Sequence, residues 1–130
     1  MVTQLVESLG EGRGSPAWVT AMADDAFSVA QAERILDALR RAGWDVKPLR
    51  RTAMRLRPGY YLFAAEEQPP AYVETLASAL NRAGLDPAYR QGYRAYAEEM
   101  RRTRPDFRGF AMEEGQSFVL VVGRGPAASQ

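Results

Sequence analysis

The chain has 130 residues, 46% apolar and 25% charged, a composition typical of one globular domain. It contains neither cysteine nor histidine. Their absence excludes disulfides, thiolate nucleophiles, cysteine metal sites and the commonest general base near neutral pH. The net charge is +1, so a polyanion could be recognised only through locally clustered charge. We therefore predict a non-enzymatic domain with no catalytic residue, no metal ligand and no cofactor.

The first third of the chain predicts a lead-in segment, a strand and a helix. Residues 1–16 end in a run of glycines and a proline, which predicts a flexible lead-in. Ala17 to Met22 alternates like a strand, and Ser28 with Gln31 forms a capping-box pattern that predicts a helix start. Apolar residues at helical spacing follow, and Gly43 suits a left-handed helix end.

A second unit of the same layout follows the first. Its predicted elements are a strand from Tyr60 to Ala64, a helix opened by Pro69-Pro70 and ended by Gly84, and a strand near Ala88 to Gln91. Val46 to Leu49 is predicted as the return strand of the first unit.

The two units coincide when the chain is shifted by 41 positions, so that residues 17–50 lie over residues 58–91. Arg41-Ala42-Gly43 then matches Arg82-Ala83-Gly84, and the strand phase and helical stripe agree. We interpret this as a duplicated βαβ unit. Two split units of this kind interleave into a four-stranded antiparallel sheet with both helices on one face. The predicted fold class is therefore α+β, a ferredoxin-like βαββαβ sandwich within a single domain of residues 17–123.

Residues 92–123 have no counterpart in the repeat and are predicted as an extension. Tyr93 to Thr103 has a helical pattern, and Phe110 to Met112 with Ser117 to Val122 predicts a β-hairpin. Phe118 to Val122 is apolar on both faces, so this last strand is predicted to join the interior of the sheet or a homodimer seam. The composition of residues 124–130 predicts a disordered tail.

Alternation along the predicted strands gives a candidate binding face. It places Trp18, Thr20, Met22, Tyr61 and Phe63 on the side of the sheet away from the helices. Aromatic side chains on an open sheet are a platform for sugar rings or nucleobases. We therefore select Trp18, Thr20, Tyr61 and Phe63 as candidate glycan- or base-binding residues. In the alternative interpretation, the extension or a second copy of the chain covers this face as core.

A basic segment is the second candidate. Between Arg40 and Arg57 there are seven basic residues and one acid, Asp45. Such clustering can contact phosphate or another polyanion, and it can equally protect a solvated edge strand from aggregation. The candidate polyanion-binding residues are Arg50, Arg51, Arg55 and Arg57.

Three acidic pairs, Asp24-Asp25, Glu66-Glu67 and Glu113-Glu114, are interpreted as loop polarity and favourable charge before helices.

A family resemblance covers residues 17–91. The first half resembles a SPOR domain in Phe27-Ser28, Ala32-Glu33, Leu36, Leu39 and Gly43-Trp44, and the second half in Tyr60-Tyr61-Leu62-Phe63, Leu76, Leu80 and Gly84. The resemblance implies a βαββαβ domain that binds peptidoglycan glycan strands stripped of their peptides, in bacterial cell-division or sporulation proteins. Ala26 stands where that family usually has glycine, and the second half lacks both Gly and Phe at that point.

Three kinds of partner therefore remain open: a glycan or other extended polymer, RNA or single-stranded DNA, and a second copy in a dimeric structural or small-molecule-sensing module. Arg57 to Phe63 is similar to the third-strand motif of RNA-recognition domains, although Leu62 occupies the alternate aromatic position.

No apolar run approaches the roughly 18 residues of a membrane span. The N-terminus lacks a signal-peptide pattern. The expected location is the cytoplasm, or the cell envelope if the SPOR-like interpretation holds.

Overall fold

A computed structural model describes residues 2–126 of the chain. In chain order the elements are α1 (Val2–Leu9), a 3₁₀ turn (Gly10–Gly12), β1 (Pro16–Ala17), β2 (Val19–Met22), α2 (Ala26–Arg41), β3 (Asp45–Val46), β4 (Arg50–Thr52), β5 (Tyr60–Ala64), α3 (Ala71–Arg82), β6 (Ala88–Arg90), α4 (Tyr93–Thr103) and β7 (Phe118–Val122). Of the helices in this described part, none combines the length and the apolar character needed to cross a bilayer.

The main sheet has five strands in the order β4-β2-β7-β5-β6. Strand β2 pairs in parallel with β4, and β5 pairs in parallel with β6, so each βαβ unit forms an adjacent parallel pair. Strand β7 lies between the units, parallel to β2 and antiparallel to β5. The α+β class is confirmed. The ferredoxin-like interleaving is wrong, because the two strands of each unit are direct neighbours instead of being separated by a strand of the other unit.

Strand β7 explains this arrangement. All five of its residues are buried, and both of its edges are paired within the sheet. An apolar strand of this kind is most stable where both faces are covered, so it takes the centre and the two units flank it. The prediction that this strand joins the interior is confirmed. Because both edges are used, β7 offers no free edge for a homodimer seam.

Two predicted β elements differ in the structure. Of the predicted strand from Val46 to Leu49 only Val46 lies in a strand, at the end of β3, which pairs with β1; β4, which pairs with β2, begins at Arg50, just after the predicted range. Pro48 lies between them and has no N–H with which to continue a ladder. The predicted hairpin is also wrong. Residues 110–112 form no strand, and Phe110 and Met112 instead pack on the side of the sheet away from α1, α2 and α3.

The flexible lead-in predicted for residues 1–16 is wrong for α1. Leu5 and Leu9 are 1% and 0% exposed, and α1 contacts both α2 and α3. The indole N–H of Trp44 donates a 2.8 Å hydrogen bond to the carbonyl of Leu9. The amphipathic pattern of α1 therefore forms part of the core. Met1 lies outside the described residues.

Helix α2 begins three residues earlier than predicted, because Asp25 and not Ser28 is the N-cap. The Asp25 carboxylate accepts a 2.8 Å hydrogen bond from the Ser28 N–H. The buried Ser28 hydroxyl accepts from the Met22 N–H and donates to the Val122 carbonyl, both at 2.8 Å. Ser28 thus links the start of α2 to the ends of β2 and β7.

Substitution Ser28→Ala is expected to lower the free energy of unfolding by about 1–3 kcal/mol, since it leaves a buried N–H and a buried carbonyl without their partner. Urea denaturation followed by circular dichroism measures this loss. The control is Ser78→Ala on the exposed side of α3, which is expected to change stability by less than about 0.5 kcal/mol. An equal response of the two variants would contradict the bridging role of Ser28.

Each face of the sheet has its own core. The larger core lies between the sheet and α1, α2 and α3, and it includes Phe118, Leu120 and Val122 of β7. The smaller one lies on the other face, hereafter the second face. There Met22, Val119 and Val121 are packed against Leu56, Tyr61, Phe63, Phe110 and Met112. The chain after α4 therefore covers part of the face that the sequence left open.

The predicted tail of residues 124–130 is only partly described. The Arg124 N–H donates to the Leu56 carbonyl at 3.2 Å, and the Gly125 N–H donates to the Asp25 carboxylate at 3.2 Å. These contacts fix the chain after β7 against the N-terminus of α2. Residues 127–130 lie outside the described part, and the prediction for them stays a prediction.

Candidate functional site

The four predicted sheet-face residues do not share one surface. Trp18 falls in the break between β1 and β2, and its side chain packs in the helix-side core. It is 7% exposed, with its ring 5.6 Å from that of Phe118. The predicted face was wrong for Trp18, because the break shifts the alternation by one position. Thr20 does line the second face, where it is 4% exposed at the floor of a groove.

Tyr61 and Phe63 lie on the second face, as predicted, but both are half-buried. Their rings are stacked with centroids 6.5 Å apart, and the Tyr61 hydroxyl donates to the Arg57 carbonyl at 2.9 Å. The ring of Phe63 also contacts Tyr93 and Phe110 at 5.3 and 5.9 Å. The extension thus covers part of Phe63, while Trp18 is buried by the break between β1 and β2, so the predicted aromatic platform is not an open face.

A basic groove of about 590 Å³ lies on the second face, beside β4. Its lining includes Arg50, Arg108, Thr20 and Phe110. Arg51 also borders the groove, but it lies opposite Ala21 of the helix-side core, so its side chain is directed to the helix side of the sheet. The register of β2 with β4 sets Arg50 opposite Thr20 and therefore on the second face. No carboxylate lines the groove among the described residues. Arg50 itself forms an ion pair with Glu113 at the margin.

A basic cleft of about 520 Å³ lies at the carboxyl ends of β2, β4 and β7. These strands are parallel, so the segments that follow them meet at one edge of the sheet, where open α/β sheets commonly bind ligands. Arg55, Arg57 and Arg124 line the cleft together with Asp24 and Asp25. Arg55 pairs with Asp24 at 2.9 Å, and Asp25 caps α2.

The groove and the cleft form one basic surface, because the continuous segment 50–58 lines both. The surface holds five arginines whose side chains can face it, Arg50, Arg55, Arg57, Arg108 and Arg124, and three carboxylates, Asp24, Asp25 and Glu113. Of the four arginines selected from the sequence, Arg50, Arg55 and Arg57 lie on this surface, whereas Arg51 is directed to the helix side. The sequence missed Arg108 and Arg124, which are distant in the chain and reach the surface through the extension and the residues after β7. No local signal could have found them.

The three arginines of the basic surface without a carboxylate partner are the ones available to a ligand. Within residues 2–126, Arg57, Arg108 and Arg124 form no ion pair and no side-chain hydrogen bond, whereas Arg50 and Arg55 each have an acidic partner. A guanidinium in this state presents its fork of donors to solvent, a geometry that matches phosphate and carboxylate oxygens. The surface can therefore bind anions without first breaking internal contacts.

An aromatic pocket of about 380 Å³ lies on the other half of the second face, next to β6. It is lined by Phe63, Arg90, Gln91, Tyr93 and Tyr96. Burial raises the pKa of the Tyr93 hydroxyl, which donates to the Phe110 carbonyl at 2.9 Å, so Tyr93 stays a neutral wall of the pocket at physiological pH. The sequence did not predict Tyr93 and Tyr96 as part of a site. They are about 30 residues away from Phe63 in the chain and come close to it only because α4 packs on the second face.

Comparisons of the chain with protein-family models, with curated proteins and with solved structures gave no match. The basic surface and the aromatic pocket are therefore the features from which a function is inferred.

Proposed function

We propose that the protein is a non-enzymatic module that binds single-stranded nucleic acid along the basic surface formed by the groove and the cleft. The observation that carries the proposal is the convergence of five arginines from segment 50–58, the extension and the residues after β7. The whole chain has a net charge of only +1, so this cation excess is local. Local positive charge of this kind provides most of the affinity of proteins for a phosphate backbone.

The shape and chemistry of the groove favour a single strand. Phe110 is half-buried at the groove and presents a ring beside Arg108, while Thr20 and Val119 form part of the floor. Unpaired bases stack on aromatic and guanidinium planes, which a duplex with paired bases does not allow.

The triple variant Arg57→Gln/Arg108→Gln/Arg124→Gln tests this proposal. These three arginines have no acidic partner within the described residues, so their removal leaves no carboxylate unpaired. We expect the affinity for a labelled single-stranded 12-mer to fall at least about tenfold at low salt. The slope of log K against log salt should decrease by roughly 2, since each phosphate contact on a single strand contributes about 0.7. Fluorescence anisotropy between low and moderate salt measures both.

The control variant carries the same charge change elsewhere. Arg34, Arg40 and Arg82 are exposed on α2 and α3, in the helical layer away from the second face. Their replacement by glutamine is expected to leave the salt slope within error of the unaltered protein. Equal losses in the two triple variants would show that binding follows net charge alone. Absence of binding by the unaltered protein at low salt would refute the proposal.

The SPOR-like interpretation stays a second prediction and uses a different surface. It requires aromatic side chains for the sugar rings, and of those selected from the sequence Tyr61 and Phe63 are half-buried while Trp18 lies in the helix-side core. Pelleting with peptidoglycan sacculi whose peptides have been removed tests it. Sedimentation with sacculi in the absence of oligonucleotide binding would favour the glycan.

We also infer that the two βαβ units arose by duplication. The inference is supported by their matching helix ends, where the C-caps Ala42 and Ala83 are followed by Gly43 and Gly84 with φ of +88° and +82°. In both units the strand before the helix pairs in parallel with the strand after it. Binding is nevertheless assigned to surfaces that the repeat alone does not build.

A further inference from the structure

The aromatic pocket beside β6 lies outside the basic surface, yet it has the lining of a ligand site. Three aromatic side chains form its walls, of which Phe63 and Tyr93 are fixed by packing. The ring of Tyr96 lies 6.1 Å from that of Tyr93, with planes inclined by 47°, and 6.0 Å from that of Phe107, with planes inclined by 80°, and the side chain is still 53% exposed. A volume of about 380 Å³ lies at the small end of the roughly 300–1,000 Å³ typical of ligand pockets and suits one flat ring system.

The polar side chain that faces the pocket favours an anionic ligand. In the register of β5 with β6, Arg90 lies opposite Phe63 and on the same face. Its guanidinium is bonded to the Tyr89 carbonyl alone among the described residues, at 3.0 Å. The Gln91 amide instead donates to Glu74 of α3 and to the Tyr89 hydroxyl, both at 3.4 Å, on the helix side of the sheet. No carboxylate is among the lining residues of the described chain.

The pocket is next to the basic groove. The Phe110 ring lines the groove and lies 5.9 Å from Phe63 of the pocket, and the Phe110 carbonyl accepts from Tyr93. Strand β2 under the groove and β5 under the pocket are separated only by β7, a distance of about 10 Å at usual strand spacings. A single strand lying in the groove can therefore place a neighbouring base in the pocket.

We propose that the pocket of Phe63, Tyr93 and Tyr96 takes one unpaired nucleobase of the bound strand, stacked on Tyr96, with Arg90 at the adjoining phosphate. This proposal rests on the proposed nucleic-acid function and adds a base-binding subsite to it. Stacking on an aromatic side chain does not require a particular base sequence, so the subsite contributes affinity with little sequence preference.

The test compares Tyr96→Ala on two matched 12-mers, one with all its bases and one with abasic positions throughout. Because Tyr96 is half-exposed, its truncation should leave the fold intact, which circular dichroism checks. We expect the variant to bind the complete oligonucleotide about 5- to 100-fold more weakly, the range of a lost stacked base, and to bind the abasic one unchanged. Tyr96→Phe keeps the ring and should restore most of the affinity.

Each other outcome decides the question. An equal loss on both oligonucleotides, or no loss on either, would overturn the base subsite while the basic surface remains valid. If the unaltered protein binds neither oligonucleotide, the proposed function fails, and titration with adenosine 5′-monophosphate then tests the pocket alone. Shifts of the aromatic NMR signals that vanish in Tyr96→Ala would support the pocket, and no shift would overturn it. Glu98→Gln, an exposed change on the same helix, is the control in each assay.

Discussion

Replacement of Leu9 by alanine is expected to lower the free energy of unfolding by about 2–5 kcal/mol, the usual loss for a fully buried leucine. Leu9 is 0% exposed, and α1 packs on α2 and α3. The Leu9 carbonyl also accepts a 2.8 Å hydrogen bond from the indole N–H of Trp44. A cavity beside Leu9 would therefore disturb the contact between α1 and the residues that follow α2. Guanidinium denaturation followed by tryptophan fluorescence measures the loss.

The outcome separates two views of the N-terminal segment. If residues 1–16 were a flexible lead-in, Leu9→Ala would be neutral, as the control Glu7→Ala on the exposed side of α1 is expected to be. A loss below about 0.5 kcal/mol for Leu9→Ala would contradict the packing of α1. The comparison is well matched because both variants place alanine, a strong helix former, in the same helix.

Replacement of Phe118 by alanine is expected to cost about 3–5 kcal/mol. Phe118 is 0% exposed at the start of β7, the strand that joins the two βαβ units. Its ring lies 5.6 Å from Trp18 and 6.5 Å from Tyr72, so it contacts residues of the first and the second unit together. Removal of the ring opens a cavity in the helix-side core where the two units meet. Calorimetry or denaturant unfolding detects the loss.

Two variants make the interpretation of Phe118→Ala specific. Phe118→Leu retains most of the apolar volume and is expected to lose less than half as much stability. Phe27→Ala removes the same ring from a side chain that is 46% exposed and should cost less than about 1 kcal/mol. A similar loss at Phe27 and Phe118 would mean that the central strand does not hold the units together.

The basic surface shows why arginine count is a poor guide to binding. Arg50 and Arg55 belong to the basic run of the sequence, yet each is paired with a carboxylate in the structure. Exposed ion pairs contribute little to stability, but they reduce the net charge that a phosphate encounters. Arg108 and Arg124 lie outside that run and have no such partner within residues 2–126. The tertiary structure therefore neutralises some arginines of the run and brings unpaired arginines from outside it to the same surface.

The sequence by itself determined the elements whose signals are local. Helical spacing and the glycines after α2 and α3 identified both helices, because an amphipathic stripe and a left-handed helix end are properties of neighbouring residues. The same was true of β5 and of the buried character of β7, whose apolar residues on both faces require cover on both sides.

The tertiary structure alone decided what depends on residues distant in the chain. Strand β7 lies between the two units and thereby sets the strand order. Because β7 is outside residues 17–91, the pattern shared by the two units does not predict that order. The break at Trp18 turned its ring into the helix-side core, and the extension covered Phe63. These outcomes depend on long-range pairing and packing, which periodicity does not encode. The two βαβ units therefore set the scaffold, and the residues outside them, from the extension and the chain after β7, complete the surfaces proposed to bind nucleic acid.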